Sequence, residues 1–220
     1  AAEKLDGTAD RVRELLADKT GRALAEAIFG NSPFLTQIVV SEPAFAVEAF
    51  RSEPAQILAD IQNELDVADD PALDDAAVRR ALRVAKRRVA LATAVADLAG
   101  LLDAVRLTRA LSDFADAAIG VAVRHLLRRM AHTGTIRLTS EHDPETGSGL
   151  IVLGLGKLGS RELNYSSDVD LIVFYDSDLI DSPDPAMVQR DFVRLARNLV
   201  TLLSERTEDG YVFRTDLRLR

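Results

Sequence analysis

The run LIVLGLGKLGSRELNYSSDVDLIVFYD at residues 150–176 constrains this chain more than any other stretch. Two apolar segments of strand length, 150–155 and 168–175, bracket a turn carrying Gly154, Gly156 and Gly159. A short helix over 156–165 is expected between them. Those glycines spell G-x-G-x-x-G, and Asp176 follows near the spacing of a dinucleotide-binding fingerprint. Only residues 160–167 separate Gly159 from the second strand, fewer than the dozen or so that a parallel crossover requires. A dinucleotide fold is therefore not expected, and the glycines read as a tight turn that offers backbone N–H groups to a phosphate. Ser160, Ser166 and Ser167 would be further donors.

The second strand opens on Asp168 and Asp170. Alternate residues of a strand share a face, with Cα atoms roughly 6.5–7 Å apart. Two carboxylates so placed repel each other, and hard oxygen ligands of this kind suit Mg²⁺ or Mn²⁺. A third acid lies in YVFRTDLRLR, residues 211–220, which alternates as a half-buried strand over 211–219. Its polar face carries Arg214, Asp216, Arg218 and Arg220, so Asp216 would complete a cation site while an arginine grips phosphate oxygens. Such an arrangement suits in-line phosphoryl displacement. Solvated acids at strand ends are the plainer alternative.

The remainder reads as α-helix. Residues 1–132 form a helical region with starts at Asn31-Ser32-Pro33, Ser41-Glu42-Pro43 and Ser52-Glu53-Pro54, and a turn at Asp69-Asp70-Pro71. A long helix is expected over about 74–99, followed by another carrying Leu107, Leu111, Phe114 and Ala118. Residues 133–149 break the pattern and read as a connector. Residues 150–220 form the sheet-bearing part, with a helix over about 185–206 between its second and third strands. The basic cluster Arg79, Arg80, Arg83, Lys86, Arg87 and Arg88 reads as a solvated helix face paired with Asp74 and Asp75, with a protein-docking or nucleotide-side role as the alternative. His125, His132 and His142 have no ligand companions and read as structural.

Composition excludes several classes. The 220 residues, 47% of them hydrophobic, suffice for a real core, and the absence of cysteine excludes disulfides and thiolate metal sites. A net charge of −8, from 35 acids against 27 bases, argues against broad electrostatic binding to nucleic acid. Neither a signal-peptide layout nor a membrane-length apolar run occurs, so export and membrane insertion are not expected.

A glycine turn, a serine, D-x-D on a strand and a third Asp on a later strand resemble the layout of polymerase-beta-type nucleotidyltransferases. The longer stretch GLGKLGSRELNYSSDVDLIVFYD is similar to the motif of the bacterial glutamine synthetase adenylyltransferase/adenylyl-removing enzyme family. FGNSPFL at 29–35, LRVAKRRVALATAVADLAG at 82–100, TRALSDFADAAI at 108–119 and GYVFRTDLRLR at 210–220 extend the likeness over nearly the whole chain.

The resemblance implies an α+β fold: a helical region followed by a mixed nucleotidyltransferase sheet with helices, truncated at its C-terminal side. It implies one of two tandem catalytic copies on a longer polypeptide. FGNSPFL associates this copy with the adenylyl-removing half, which releases AMP from a tyrosine of glutamine synthetase by phosphorolysis and yields ADP. Asp168, Asp170 and Asp216 match the family's catalytic and metal-binding acids, and Gly156 with Ser160 matches its phosphate-cradling turn. Ser167, Arg218 and Arg220 join them as expected phosphate or nucleotide contacts. The implied cofactor is Mg²⁺ or Mn²⁺. The implied partners are glutamine synthetase, a PII-type signalling protein, inorganic phosphate and ADP or ATP, in the cytoplasm, with no nucleic acid and no membrane. Two other readings stay open: a nucleotidyltransferase acting on a small molecule or RNA, and a catalytically silent nucleotide-binding module.

Overall fold

The computed structural model describes residues 2–219. Its helical part comprises α1 (Ala2–Ala17), α2 (Lys19–Asn31), α3 (Pro33–Ser41), α4 (Pro43–Arg51), α5 (Pro54–Val67), α6 (Asp75–Leu98) and α7 (Ala104–His132). Local chemistry sets these boundaries. Ser32 accepts from Leu35 N, Asp74 from Ala77 N and Asp103 from Arg106 N, each satisfying an orphan amide of a first turn. Pro33, Pro43 and Pro54 occupy first helical positions, where a missing N–H costs nothing. α6 buries Val78, Leu82, Ala85, Val89, Ala92 and Ala96, the helical-period stripe expected from the sequence.

After residues 133–149 come β1 (Leu150–Leu155), α8 (Gly156–Gly159), β2 (Val169–Tyr175), a 3₁₀ turn (Pro185–Met187), α9 (Val188–Ser204) and β3 (Thr215–Leu219). The sheet order is β1-β2-β3, with β1 antiparallel and β3 parallel to β2. The fold is α+β with a small mixed sheet. Antiparallel pairing of β1 with β2 excludes the dinucleotide-binding crossover.

Val169, Leu171 and Val173 line the buried face of β2, and Phe192 of α9 packs against Tyr175 with ring centroids 5.3 Å apart. On the opposite face Ile151 and Leu153 are about half exposed. One hydrophobic core runs from the helices into the sheet, joining Leu111 and Phe114 of α7 to Val169, Leu195 and Phe213.

Three element limits differ from expectation. The helix after β1 ends at Gly159 rather than 165, because Arg161 adopts φ 58°, a left-handed conformation that stops helix propagation. The helix expected over 185–206 is α-helical only from Val188 to Ser204. The last strand begins at Thr215 rather than 211, since Val212 and Phe213 both donate their amides to Leu203 O and are tied to the end of α9.

The arginine-rich face of α6 is not solvated as the sequence suggested. Arg83 is 1% exposed and donates to the carbonyls of Gly210, Leu202 and Glu205, whereas Arg87 pairs with Glu42 and Asp209. Arg79 pairs with Glu205, and Arg88 with Glu42 and Glu64. Asp75 pairs with His125 and Arg129 of α7 instead of the α6 arginines. This face is the seat of the 202–213 segment.

Candidate active site

At the end of β1 the chain reverses through Gly156 at φ +53°, a region L side chains rarely occupy. A Cβ there would lie 2.9 Å from Asp170 Oδ2, so glycine lets the turn close against the acid. Gly159 approaches just as tightly, its notional Cβ 2.7 Å from Gly154 O. Ser160 donates its hydroxyl to Gly156 O at 3.0 Å, closing the turn on itself. Lys157 is exposed.

The loop that follows is pinned from two sides. Leu163 N donates to the buried Ser112 Oγ of α7 at 3.2 Å, and Arg161 forms ion pairs with Asp113 and Asp116 of the same helix. Burial pushes the Asp116 carboxyl above its ordinary range; the nearby Arg161 opposes that and Asp113 adds to it. Asn164 orders the serines: its Oδ1 accepts from Ser166 N and from Ser167 Oγ at 2.8 Å, and its own amide donates to Ser167 Oγ. The local signal for this role of Asn164 is the run Asn164-Tyr165-Ser166-Ser167, an Asx-turn composition.

The three acids take unequal positions. Asp170 of β2 and Asp216 of β3 are direct partners in the parallel ladder, so their side chains leave the same face side by side. Asp170 is half-buried and Asp216 exposed. Asp168 stands one residue before β2, and its carboxylate forms an ion pair with Arg214. That guanidinium also donates to Ser166 O at 2.9 Å, and the Asp168 partnership raises its pKa. Among the described residues no group of three or more acids or histidines is gathered closely enough to hold a metal ion. The structure therefore brings Asp170, Asp216 and Gly156 together and places Asp168 with Arg214. Arg220 and the side chain of Arg218 lie outside the described residues.

His125 is buried with Nε2 2.8 Å from Asp75 Oδ1, in keeping with a structural role. Among the described residues no helix is long and apolar enough to cross a membrane.

A family model described as glutamate-ammonia ligase adenylyltransferase matches residues 22–220. A bifunctional glutamine synthetase adenylyltransferase/adenylyl-removing enzyme of Rhizobium meliloti (strain 1021) is 46% identical over 220 residues, covering 96% of this chain and 22% of the relative. Proteins of the same name are 42% identical in Agrobacterium fabrum (strain C58 / ATCC 33970) and 40% identical in Bradyrhizobium sp. (strain BTAi1 / ATCC BAA-1182), covering 88% and 100% of this chain and 20% and 22% of the relatives. The chain thus spans about a fifth of the length of the curated relatives it matches. The extent and level of this similarity place the chain in the glutamate-ammonia ligase adenylyltransferase family, a family of nucleotidyltransferase enzymes.

Proposed function

We propose that this chain carries the polymerase-beta-type nucleotidyltransferase site of the adenylyl-removing half, which releases AMP from a tyrosine of glutamine synthetase by phosphorolysis. The observation that carries the reading is the ladder pair Asp170–Asp216 beside Gly156, with Asp168 and Arg214 at the edge of the same strands.

The residues fit a divalent cation in kind. Asp170 and Asp216 are hard oxygen donors on one face, and the missing Cβ of Gly156 leaves room beside Asp170 Oδ2. Asp168 would join them on leaving Arg214. Mg²⁺ or Mn²⁺ bound there would supply charge neutralisation for phosphoryl transfer. In that transfer an oxygen of inorganic phosphate attacks the AMP phosphorus, the bond from phosphorus to the tyrosyl oxygen breaks, and the nucleotide leaves as ADP. The phenolate takes up the proton released by phosphate. With a parent pKa near ~10, it leaves more readily than an alkoxide. Arg214 and the backbone of the glycine turn would hold phosphate oxygens, with Ser167 and, beyond the described side chains, Arg218 and Arg220 as further contacts. Glutamine synthetase and a PII-type regulator as partners, and a cytoplasmic setting, belong to the same proposal.

The engagement of Asp168 by Arg214 favours one second reading, a nucleotide-binding module without turnover. Incubation with adenylylated glutamine synthetase, Mg²⁺ and phosphate separates the two. Release of ADP supports phosphorolysis, and nucleotide binding without ADP supports the silent module; in a parallel incubation of unmodified glutamine synthetase with ATP and Mg²⁺, AMP attachment assigns the chain to the other half.

A further inference from the structure

A cleft of about 720 Å³ lies between α3, α6 and the 206–214 segment, and its rim reaches Ser166, Ser167 and Arg214 beside Asp168. Lys86, with Ala90 and Ala94 farther along α6, lines one side; Leu35 and Ile38 of α3 line another, and Tyr211 and Phe213 a third. The volume is in the range of small-molecule sites.

Its charges are unevenly matched. Arg87 is held by Glu42 and Asp209, and Arg214 by Asp168. Glu208 and Arg206 lie at exposed positions of the lining. Lys86 differs from the rest: among the described residues its ammonium has no carboxylate and no hydrogen-bond acceptor, and its recorded contact is the face of Phe213, 4.7 Å from the ring centroid. The Lys86 side chain is largely enclosed, and burial pushes the ammonium down to about 8. An enclosed, unpaired cation opposes folding, and such groups concentrate at ligand sites. An ammonium with three rotatable donors is a point-charge binder of phosphate, and the same lining carries serine hydroxyls and the phenol of Tyr165.

We propose that this cleft binds a phosphate dianion through Lys86, either free inorganic phosphate or the phosphate of a nucleotide. The site for an anion follows from the unpaired ammonium, whereas its assignment as phosphate rests on the phosphoryl-transfer reading. Lys86 then brings α6, and with it the helical part of the chain, into the binding machinery. The ammonium and Arg214, the partner of Asp168, line the same cleft.

The test is calorimetric titration of the wild-type chain, Lys86→Met and Lys86→Arg with inorganic phosphate and, separately, with AMP, at pH 7 and constant ionic strength. Wild type binds, Lys86→Met loses affinity by about tenfold or more, and Lys86→Arg recovers part of it. Loss for AMP as well, with competition between the two ligands, makes the nucleotide phosphate the occupant. Loss for inorganic phosphate alone makes the free ion the occupant. Equal affinities in wild type and Lys86→Met, or no binding of either ligand by wild type at millimolar concentration, overturn the proposal. ADP release with KM values for both phosphate and adenylylated glutamine synthetase unchanged in Lys86→Met would overturn it while leaving the phosphorolytic reading intact. Phosphate binding that depends on Lys86 without ADP release would do the reverse.

Discussion

Arg214, two residues upstream of Asp216, ties Asp168 to the Ser166 carbonyl, so the same segment that supplies the third acid also restrains the first. The pair is solvent-exposed and therefore exchangeable. Arg214→Gln should free Asp168 and remove a positive charge beside Asp170 and Asp216, raising Mn²⁺ affinity about threefold or more at low salt. Mn²⁺ titration followed by electron paramagnetic resonance measures this. Unchanged affinity would mean that Arg214 does not govern access of a cation to Asp168.

Gly156→Ala places a side chain at φ +53° and within 2.9 Å of Asp170 Oδ2. The left-handed backbone costs about 1–2 kcal/mol for a residue bearing a Cβ, which denaturant melts will register. Asp170 must also turn aside, so turnover should fall further than the stability loss explains. A variant that melts early yet keeps full turnover would show that the close approach has no catalytic consequence.

Arg83→Met leaves the carbonyls of Gly210, Leu202 and Glu205 without their buried donor. The expected loss is about 3 kcal/mol, by the cost of orphaned buried acceptors. Arg80→Glu, at an exposed position of the same helix, should stay within about 0.5 kcal/mol of wild type. Urea unfolding of both variants checks the contrast, and similar effects would contradict the docking role of this face.

Lys86 carries a pH signature of its own. Its folded pKa is lowered to about 8 from 10.5, so between those values the unfolded chain binds more protons and stability rises with pH. The full penalty applies below about pH 8. The charged or titratable groups sharing its cleft are Arg87, Arg206, Glu208, Asp209, Arg214, Tyr165 and Tyr211. Lys86→Met should therefore stabilise the chain by up to about 3 kcal/mol at pH 7, and the gain should shrink as pH climbs from about 8 towards 10.5. Thermal melts over that interval measure it; a loss of stability on substitution would contradict the account.

Local signals made most of the fold legible. Ser32-Pro33, Asp74 and Asp103 mark helix starts through bonds made within three residues, and the alternation around Val169 and Leu171 gives the strand and its faces. What escaped the sequence depends on partners far along the chain. Arg83 looks solvated by helix rules, but three of its carbonyl acceptors, Gly210, Leu202 and Glu205, lie more than a hundred residues away. Tyr211–Arg214 alternates like a strand, but amide bonds from Val212 and Phe213 to Leu203 O divert it. At the site, period-two spacing places Asp168 and Asp170, and it says nothing of Arg214 as the partner of Asp168. Lys86 is one of six basic residues between 79 and 88, where nothing local separates its ammonium from the guanidiniums around it.

The role of Asp170 is the centre of the account, because this carboxylate meets both the Asp216 register and the Gly156 turn. Asp170→Asn keeps size and removes charge, so the measurement is ADP release from adenylylated glutamine synthetase, with Mg²⁺ and phosphate, by the wild-type enzyme and this variant. The expected result is ADP from wild type and a loss of about a hundredfold or more in the variant, with unfolding midpoints matched. Undiminished ADP release by Asp170→Asn would contradict it.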